Sequence, residues 1–304
     1  MPETTTHLTE RSDFRATSDP GLSDAGDRGR VELLSYGELY RLWERQHWAV
    51  QDLDFSQDRI DWHERFDDEE RHARMYGLSS FFVGEQRVAA ELGPMMRACP
   101  DEEMRIFLCT QIADEARHVA FFDRFYSEVG VLEADRLEGR LEETSEHLNP
   151  EFGVLFDELL RARVDRLAAA PDDLETLVEA VTIYHMVIEG MLALTGQHFI
   201  VDYNTRMGTL PGFVDGFTKV ARDEHRHVAF GARFLRDMAA GDSRYAEAIK
   251  RTLTEIAPAA DGVLRPKWIP EGEDDTQFFG SSVNESREFA MQALNRRLKV
   301  IGLA

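Results

Sequence analysis

Two octapeptides, DEARHVAF at residues 114–121 and DEHRHVAF at residues 223–230, are copies of one pattern. Each copy contains Glu-x-x-His, a spacing that places both side chains on one face of a helix. Upstream of each copy a glutamate stands in an apolar stretch, Glu85 for the first copy and Glu189 for the second. Two such helices, each with a partner glutamate on another helix, predict a site for a pair of metal ions inside a helical bundle.

Six side chains are the candidate metal ligands, and each stands among apolar neighbours. They are Glu85, Glu115, His118, Glu189, Glu224 and His227. A carboxylate buried without a partner raises its pKa by up to ~3–5 units or destabilises the fold. Two divalent cations would balance four buried glutamates, and a carboxylate-rich set with one imidazole per metal suits iron or manganese better than zinc. The ligand types alone hardly separate iron from manganese.

The tetrapeptide Glu-x-x-His is a weak signal by itself. It occurs twice more, at Glu44 and His47 and at Glu69 and His72. The second of these pairs lies in the acidic run DDEERHAR, which is typical of a solvated helix face. The prediction of a metal site therefore depends on the partnered glutamates and on the duplication.

Two residues beside the candidate ligands have predicted supporting roles. Asp223 precedes Glu224 and points about 100° away from it around the helix, so it is a candidate acceptor for the free imidazole N–H of a ligand histidine. Gly190 follows Glu189 directly. Because glycine costs about 1 kcal/mol relative to alanine inside a helix, it predicts close packing or a local helix distortion at that point.

The composition limits the class of protein and its partners. With 43 % hydrophobic and 30 % charged residues among 304, the chain is typical of soluble globular proteins. The formal net charge of −22 argues against nucleic acid and anionic membrane surfaces, because both would repel it. Cys99 and Cys109 form no disulfide or metal pattern and are typical of free thiols in a reducing compartment. No signal peptide is visible, so the predicted location is the cytoplasm.

One apolar run is long enough to span a bilayer. Between Ala180 and Val201 the only formally charged residue is Glu189. Polar residues interrupt the run, among them His185 and His198. These interruptions favour a core helix of a large bundle over a membrane span, and no membrane insertion is expected.

Caps and apolar periodicity predict helices along most of the chain, and alternating strand patterns are essentially absent, so the predicted class is all-α. Residues 1–30 are polar without periodicity and are predicted to be a disordered arm, which leaves 31–304 as one helical domain. A loop is predicted at 259–280. The predicted helices are 35–48, a helix capped by Asp67 or Asp68 that runs to 98, one capped by Asp101 and stopped by Gly130, 133–146, 151–169, one that begins at Asp172, 211–241 and 281–300.

Three segments around the candidate ligands resemble a known family. They are FFVGEQRVAAEL at 81–92, YHMVIEGMLALTG at 184–196, and LPGF at 210–213 together with DEHRHVAFG at 223–231. Over residues 50–235 the chain resembles the ferritin-like dimetal-carboxylate superfamily, in particular the small subunit of ribonucleotide reductase and the ligand-binding oxidases that share its fold. The resemblance implies a ferritin-like helical bundle with additional helices, assembled as a homodimer.

The resemblance also implies the metals and a covalent modification. Glu85 with the first Glu-x-x-His would hold manganese, and Glu189 with the second would hold iron; two irons are the alternative. In these oxidases an ether cross-link joins a valine three residues after the first glutamate to a tyrosine five residues before the third. Those positions are Val88 and Tyr184 in this sequence.

The activity that the resemblance implies is oxidation of C–H bonds. Such enzymes reduce dioxygen at the dimetal centre and abstract a hydrogen from an unactivated C–H bond, here first that of Val88, whose carbon Tyr184 then traps. The family also holds a long-chain fatty acid in an apolar tunnel, with its carboxylate at the metals. The expected partners are therefore dioxygen, a long-chain fatty acid or similar lipid-like ligand, and an unidentified electron donor.

Other members of the superfamily are the alternatives. The first is a genuine reductase small subunit, whose radical tyrosine usually stands four residues after the first histidine; that position is Phe122 here, although a tyrosine-free manganese/iron subunit is known. The final segment RRLKVIGLA also lacks the acidic, tyrosine-bearing tail that docks the large subunit. Dimetal N-oxygenases and acyl desaturases are further relatives. Iron storage, as in ferritins, is disfavoured by the single asymmetric repeat and by the pair Val88 and Tyr184.

Overall fold

The computed structural model describes residues 33–304. Within that range the only strand-like pairing is an isolated bridge between Phe278 and Ser281, which confirms the all-α prediction. The α-helices, numbered in chain order, are α1 Tyr36–Arg45, α2 Ser56–Ile60, α3 Asp68–Ala98, α4 Glu102–Val129, α5 Leu137–Ser145, α6 Pro150–Gly153, α7 Arg161–Ala169, α8 Leu174–Val181, α9 Leu194–Met207, α10 Pro211–Gly241, α11 Ser243–Val263 and α12 Val283–Ile301. The π-helical turns Asp61–Arg65, Val154–Leu160 and Thr182–Ala193 continue α2, α6 and α8, and Val50–Asp52 is a 3-10 turn.

Four long helical segments carry the candidate ligands. They are α3 with Glu85, α4 with the first Glu-x-x-His, the continuous helix from α8 to α9 with Glu189, and α10 with the second Glu-x-x-His. We call the continuous segment Leu174–Met207 the central helix. α3 packs along α4, and α10 packs against the π-helical middle of the central helix. The predicted ferritin-like bundle is thus the fold that is observed.

Capping residues fix where α3 and α4 begin and end. Asp67 accepts a hydrogen bond from the backbone N–H of Glu70, and the Glu70 side chain accepts from the backbone N–H of Asp67 in return. Asp101 accepts from the N–H of Glu103. Gly130 ends α4 at φ 76°, a left-handed conformation that glycine adopts without strain. Both predicted caps and the predicted stop are confirmed.

The beginning of α10 depends on a distant residue. Leu210, which precedes Pro211, lies at φ 49° and has no side-chain oxygen with which to cap the helix. Asp58 of α2 supplies the cap, because its carboxylate accepts from the backbone N–H of Gly212 at 2.8 Å and of Phe213 at 2.6 Å. The predicted start at residue 211 is confirmed, but its cap is 154 positions away in sequence from Gly212.

The central helix is not a regular α-helix. Its segment Thr182–Ala193, which includes Glu189, is π-helical, and such distortions are frequent at functional sites. At Gly190 an added Cβ would lie 2.8 Å from the Nε of Arg297 and 2.8 Å from the carbonyl oxygen of His185. Close packing and a helix distortion, the two predicted consequences of Gly190, are both present.

The central helix is also the one described helix that is long and apolar enough to cross a membrane. In its most apolar window, 94 % of the residues are buried inside the bundle. A helix that is buried on all sides is apolar all round. Its position in the core therefore accounts for its composition, as the polar interruptions predicted.

Several predicted boundaries were wrong by a few residues. Asp173, rather than Asp172, caps α8, since the Asp173 carboxylate accepts from the backbone N–H of Thr176 at 3.1 Å. The first helix is Tyr36–Arg45 rather than 35–48, and α5 begins at Leu137 rather than at 133. The predicted arm 1–30 lies outside the described residues, and the single domain 31–304 stays a prediction.

The loop predicted at 259–280 starts later in the structure than the sequence indicated. Helix α11 continues through Pro258 as far as Val263. Ala259 and Ala260 are buried there against the rest of the bundle. Proline removes one helical hydrogen bond, and the packing of these two alanines keeps the helix intact beyond it.

The variant Gly231→Ala should destabilise the bundle. A Cβ added at Gly231 on α10 would lie 2.2 Å from the Cβ of His185 on the central helix, so the two helices would have to separate. The expected loss is on the order of 1–3 kcal/mol of unfolding free energy, measured by urea denaturation with circular dichroism. The matched control is Gly153→Ala, because Gly153 is helical at φ −59° and an added Cβ there meets nothing within 4 Å.

The unfolding free energy of the Gly153→Ala control should stay unchanged or rise by up to ~1 kcal/mol, the usual difference between alanine and glycine in a helix. Equal unfolding free energies for the two variants would contradict the close packing of α10 on the central helix.

Candidate metal centre

The six predicted ligands converge in the middle of the bundle. Their donor atoms form two groups, and within each group all atoms lie within 4.8 Å of one another. The groups are Glu85, Glu115, His118 and Glu224, and Glu115, Glu189, Glu224 and His227. Glu115 and Glu224 belong to both groups. The sequence predicted two separate sets of three ligands, whereas the structure shows that two glutamates, one from each repeat, could contribute to both ion sites.

Both histidines present Nδ1 to the glutamates. The Nδ1 of His118 lies 3.2–3.4 Å from an oxygen of each of its three glutamates. The Nδ1 of His227 lies 3.3–3.5 Å from an oxygen of each of its own three. The ring centroids are 6.2 Å apart. Each group thus has one imidazole nitrogen directed at its carboxylates, an arrangement that could provide one imidazole to each of two metal ions.

The donor atoms fit a pair of divalent cations. His118, His227 and Glu115 are fully buried, and the other three glutamates are at most 6 % exposed. One carboxylate oxygen of each of Glu115, Glu189 and Glu224 has no hydrogen-bond partner, and neither does the Nδ1 of His227. Buried polar atoms without partners cost free energy, and cations coordinated at this point would satisfy them.

The aspartate of each repeat supports the histidine of the other repeat. The Oδ2 of Asp223 lies 3.5 Å from the Nε2 of His118, and the Oδ2 of Asp114 lies 3.1 Å from the Nε2 of His227. Asp223 thus lies beside the free ring nitrogen of a candidate ligand histidine, as the sequence predicted. The equivalent contact of Asp114 was missed, although the duplication itself was the signal that could have identified it.

The arginines of the repeated pattern hold these two aspartates. The Nη2 of Arg226 donates to Asp114 and to Asp223 at 2.8 Å each. Arg117 donates to Asp223 at 2.8 Å and also to Asp114. Two guanidinium groups thereby match two aspartates in charge. The four glutamates of the site are left, and two divalent cations would balance their charge.

Two indole groups complete the contacts of the aspartates. The Nε1 of Trp43 donates to Asp114 at 2.8 Å, and the Nε1 of Trp48 donates to Asp223 at 2.7 Å. Trp43 lies on α1, and Trp48 lies in the segment that follows it. The N-terminal helix therefore closes one side of the metal centre, a role that no motif in its sequence predicted.

The electrostatics of the site favour positive charge. Burial raises the pKa of Glu85 and of Glu189 well above the usual range. Burial acts in the same direction on Glu115, but the hydrogen bond of His118 and the charge of His227 lower its pKa to about 2. For both histidines burial lowers the pKa, yet the surrounding carboxylates raise it well above its usual value. Carboxylates that raise the pKa of buried imidazoles create a negative potential at this point, and a negative potential favours cations.

Three further polar side chains contact the glutamates or each other. The hydroxyl of Tyr184 donates to Glu115 Oε1 at 2.9 Å. The Nε2 of Gln111 donates to Glu189 Oε1 at 2.8 Å, and the Oε1 of Gln111 lies 3.1 Å from the Nε2 of His185. Burial lowers the pKa of His185 to about 3, so this imidazole is neutral and can donate its Nε2–H to Gln111. Sequence reasoning missed Gln111, although it stands one helical turn before Glu115.

A cavity of about 200 Å³ extends from the glutamates, lined by residues of α3 and the central helix. All four glutamates of the candidate metal centre contribute to its wall, and the remainder of the lining is mostly apolar. Val88 lies in the wall. Val88 and Tyr184 are both buried, and the hydroxyl of Tyr184 reaches Glu115, which lines the same cavity. Both residues of the predicted cross-link therefore border the candidate metal centre.

The other two Glu-x-x-His pairs do not contribute to the site. Glu44 and His47 are exposed, as are Glu69 and His72. The prediction that Glu69 and His72 lie on a solvated helix face is confirmed. The tetrapeptide becomes part of the buried site only where an apolar helix face carries it.

The sequence matches the family model of the ribonucleotide reductase small chain over residues 34–304. This chain belongs to the ribonucleotide reductase small-chain family. The match extends to α11 and α12, beyond the range 50–235 in which the motifs were recognised. The family is one of dimetal oxidoreductases, so this small-chain family member is a dimetal oxidoreductase.

Solved structures of R2-like ligand-binding oxidases are similar to this small-chain family member. A valine-to-isoleucine variant with an anaerobically reconstituted Mn/Fe cofactor is 28 % identical, covers 89 % of this chain and 94 % of its own, and has a TM-score of 0.77. A tyrosine-to-phenylalanine variant with an aerobically reconstituted Mn/Fe cofactor gives the same values. A glycine-to-leucine variant, which carries a non-activated Mn/Mn cofactor after aerobic reconstitution with Mn and Fe, also has the same identity, coverage and TM-score.

The variants Asp114→Asn and Asp223→Asn should each weaken metal binding about 10–100-fold. Each removes a carboxylate that orients one ligand histidine and balances two arginines, and such changes typically have this effect. Competition with a chromophoric chelator measures the affinity. The control is Glu69→Gln, which removes one negative charge from an exposed position of α3 and should leave the affinity unchanged. Unchanged affinity in both aspartate variants would show that other contacts orient the histidines.

Proposed function

We propose that this protein is a dioxygen-activating oxidase that holds one manganese and one iron ion and oxidises C–H bonds. Manganese would bind in the group that contains Glu85 and iron in the group that contains Glu189, with Glu115 and Glu224 shared. The Mn/Fe cofactors of the similar R2-like ligand-binding oxidases support this assignment. When bound, the metal pair would supply the dioxygen-binding site and part of the electrons for dioxygen reduction.

The observation that carries this proposal is the position of the cavity. A mostly apolar cavity ends at the candidate ligands themselves, so a C–H bond of a molecule bound in it would lie beside the carboxylates. The chain provides a fixed frame around this point. Gln111 orients Glu189, and the two aspartates with their arginines hold the histidines. Such preorganisation is what a reaction at a buried site requires.

We propose that Val88 and Tyr184 become joined by an ether bond. The bond links the phenolic oxygen of Tyr184 to a carbon of Val88, with the net loss of one hydrogen from each, and dioxygen accepts the two electrons and two protons. Tyr184 donates its hydroxyl proton to Glu115 in a hydrogen bond of 2.9 Å, so a base stands at the atom that must lose it. Burial and the charge of Glu115 raise the pKa of Tyr184 well above its usual value, which keeps the phenol protonated until the reaction.

The ligand of the cavity is proposed to be a long-chain fatty acid or a similar lipid-like molecule. Its carboxylate would lie at the metal pair, and its alkyl chain would lie along the apolar wall between α3 and the central helix. A cavity lined mostly by apolar residues with a few polar groups at one end is suited to such an amphiphile. A homodimer in the cytoplasm, with an electron donor still to be identified, completes the proposal.

The tyrosine-free type of reductase small subunit is the alternative function. The residue four positions after His118 is Phe122, which is fully buried among other phenylalanines, including Phe121 and Phe217. A phenylalanine has no O–H bond to oxidise. This position therefore disfavours a subunit with a stored tyrosyl radical and leaves the tyrosine-free type as the reductase alternative.

Aerobic loading with manganese and iron should place two ions in each chain, one of each element. Metal-edge anomalous diffraction would assign them to the two groups. Glu85→Gln should lower the occupancy of one position only, whereas Glu115→Gln should lower both, because Glu115 belongs to both groups. Loss of a single ion from the Glu115 variant would contradict the shared role.

Aerobic loading should also reduce the intact mass by two hydrogens. Peptide mapping by mass spectrometry should locate the change in a linked pair of peptides that contain Val88 and Tyr184. The variants Tyr184→Phe and Val88→Ala remove one partner each and should keep the unmodified mass while still binding two ions. An unmodified wild-type protein with a stable radical signal would favour the reductase subunit instead.

A further inference from the structure

The cavity that begins at the metal centre ends at a buried arginine. Along α3 its wall runs through Glu85, Phe81 and Leu78 to Arg74. Along the central helix it runs from Glu189 through residues one or two turns apart to Tyr203 and Asn204. The two walls meet again at this far end, where the Nη1 of Arg74 donates to the Oδ1 of Asn204 at 3.0 Å.

The far end lies well away from the metal centre. Arg74 and Glu85 are 11 residues apart on the same helix, which corresponds to ~16 Å along the helix axis at 1.5 Å per residue. A ligand that contacts both ends must therefore have an extended chain. The loop between α11 and α12 covers this end, since Phe278 and Phe279 belong to the lining.

Arg74 is a buried cation without a carboxylate partner. Its exposure is 7 %, and no carboxylate oxygen of the described residues lies within the 4.0 Å of an ion pair. Asp61 and Glu70 act on it only at longer range. Its one hydrogen bond within the described chain goes to Asn204, and its Nε has no partner.

Aromatic rings surround the guanidinium group. Its Cζ lies 3.8 Å from the ring centroid of Phe66, 4.7 Å from that of Phe279 and 5.5 Å from that of Tyr203. Cation–π contacts stabilise a cation, but they offset only part of the cost of removing a guanidinium from water. Burial accordingly lowers the pKa of Arg74, as expected of a cation that its surroundings solvate incompletely. Arg74 is at the same time part of the cavity wall.

Two other buried arginines of the described chain, Arg226 and Arg140, form ion pairs with carboxylates. Arg226, 2 % exposed, contacts both Asp114 and Asp223, and Arg140 contacts Asp123. Arg74 is also the only arginine or lysine that residues 33–304 contribute to the wall of the cavity. A single positive charge with unused N–H groups at the end of an apolar channel matches one carboxylate, for which guanidinium geometry is well suited.

We infer that Arg74 binds a second carboxylate of the ligand, so that the cavity takes a long-chain α,ω-dicarboxylate rather than a simple fatty acid. One carboxylate lies at the metal pair and the other at Arg74, with the alkyl chain along the wall between them. This inference rests on the proposed function, because it places the first carboxylate at the metals. It goes beyond that function because it specifies a carboxylate at each end of the ligand and the approximate length of the chain between them.

Calorimetric titration of the metal-loaded, full-length protein tests the inference. The probes are dodecanoic, tetradecanoic and hexadecanoic acid and the corresponding α,ω-dicarboxylic acids. At the best-fitting chain length the dicarboxylic acid should bind at least about tenfold more tightly than the monocarboxylic acid, the usual effect of a charge-assisted hydrogen bond. This comparison uses the wild-type protein alone, so it does not depend on whether a variant folds.

Variants then assign the effect to Arg74. Arg74→Gln should abolish the preference for the dicarboxylic acid and leave binding of the monocarboxylic acid unchanged. Arg74→Lys keeps the charge and should retain part of the preference. The matched control is Arg97→Gln, which removes the same charge from an exposed position of α3 and should behave as the wild type. Metal content and thermal melting confirm that each variant is folded and loaded.

The outcomes separate this inference from the proposed function. Equal binding of both acids to the wild type at every chain length would overturn the role of Arg74 while the fatty-acid proposal stands. A preference for the dicarboxylic acid that persists in Arg74→Gln would also overturn it. Failure of every acid to bind would overturn the inference and the proposed ligand together.

Discussion

The burial of four glutamates in an apolar helical bundle is the constraint on which the structure depends. None of the four glutamates is more than 6 % exposed, and such a cluster is unfavourable unless positive charge compensates it. Among the described residues, Arg117 and Arg226 beside the site are matched by Asp114 and Asp223 and not by the glutamates. The helical bundle therefore encloses an excess of negative charge, which two divalent cations would balance.

The four polar residues that the two octapeptides share, namely aspartate, glutamate, arginine and histidine, all contribute to this site. The glutamate and histidine face the candidate metal site, whereas the aspartate crosses to the histidine of the other copy and the arginine ties the two aspartates together. Helices α4 and α10 are thus coupled through both histidines. The coupling uses the aspartate, arginine and histidine that both copies contain. One copy alone would leave its histidine without an acceptor.

The cavity reaches the candidate metal centre, and the central helix forms much of its wall. The π-helical segment Thr182–Ala193 places Glu189 in the site and keeps the chain close to α10, where Gly231 leaves room for His185. At the opposite end of the cavity, Arg74 is the only cationic side chain that the described residues contribute to the wall. In the proposed function, the candidate metal centre at one end and this guanidinium at the other would bind the two ends of a ligand.

The sequence by itself determined the all-α class, the helices of the bundle, the caps Asp67, Asp101 and Gly130, and the six residues that converge on one site. These follow from local physics, since helical spacing and capping depend on neighbours within a few positions. Tertiary structure alone decided which glutamates are shared, which aspartate meets which histidine, and that Asp58 caps α10. It also decided that Trp43, Gln111 and Arg74 border the site and its cavity. These contacts join residues that are remote in sequence or depend on the orientation of whole helices, and no local pattern records them.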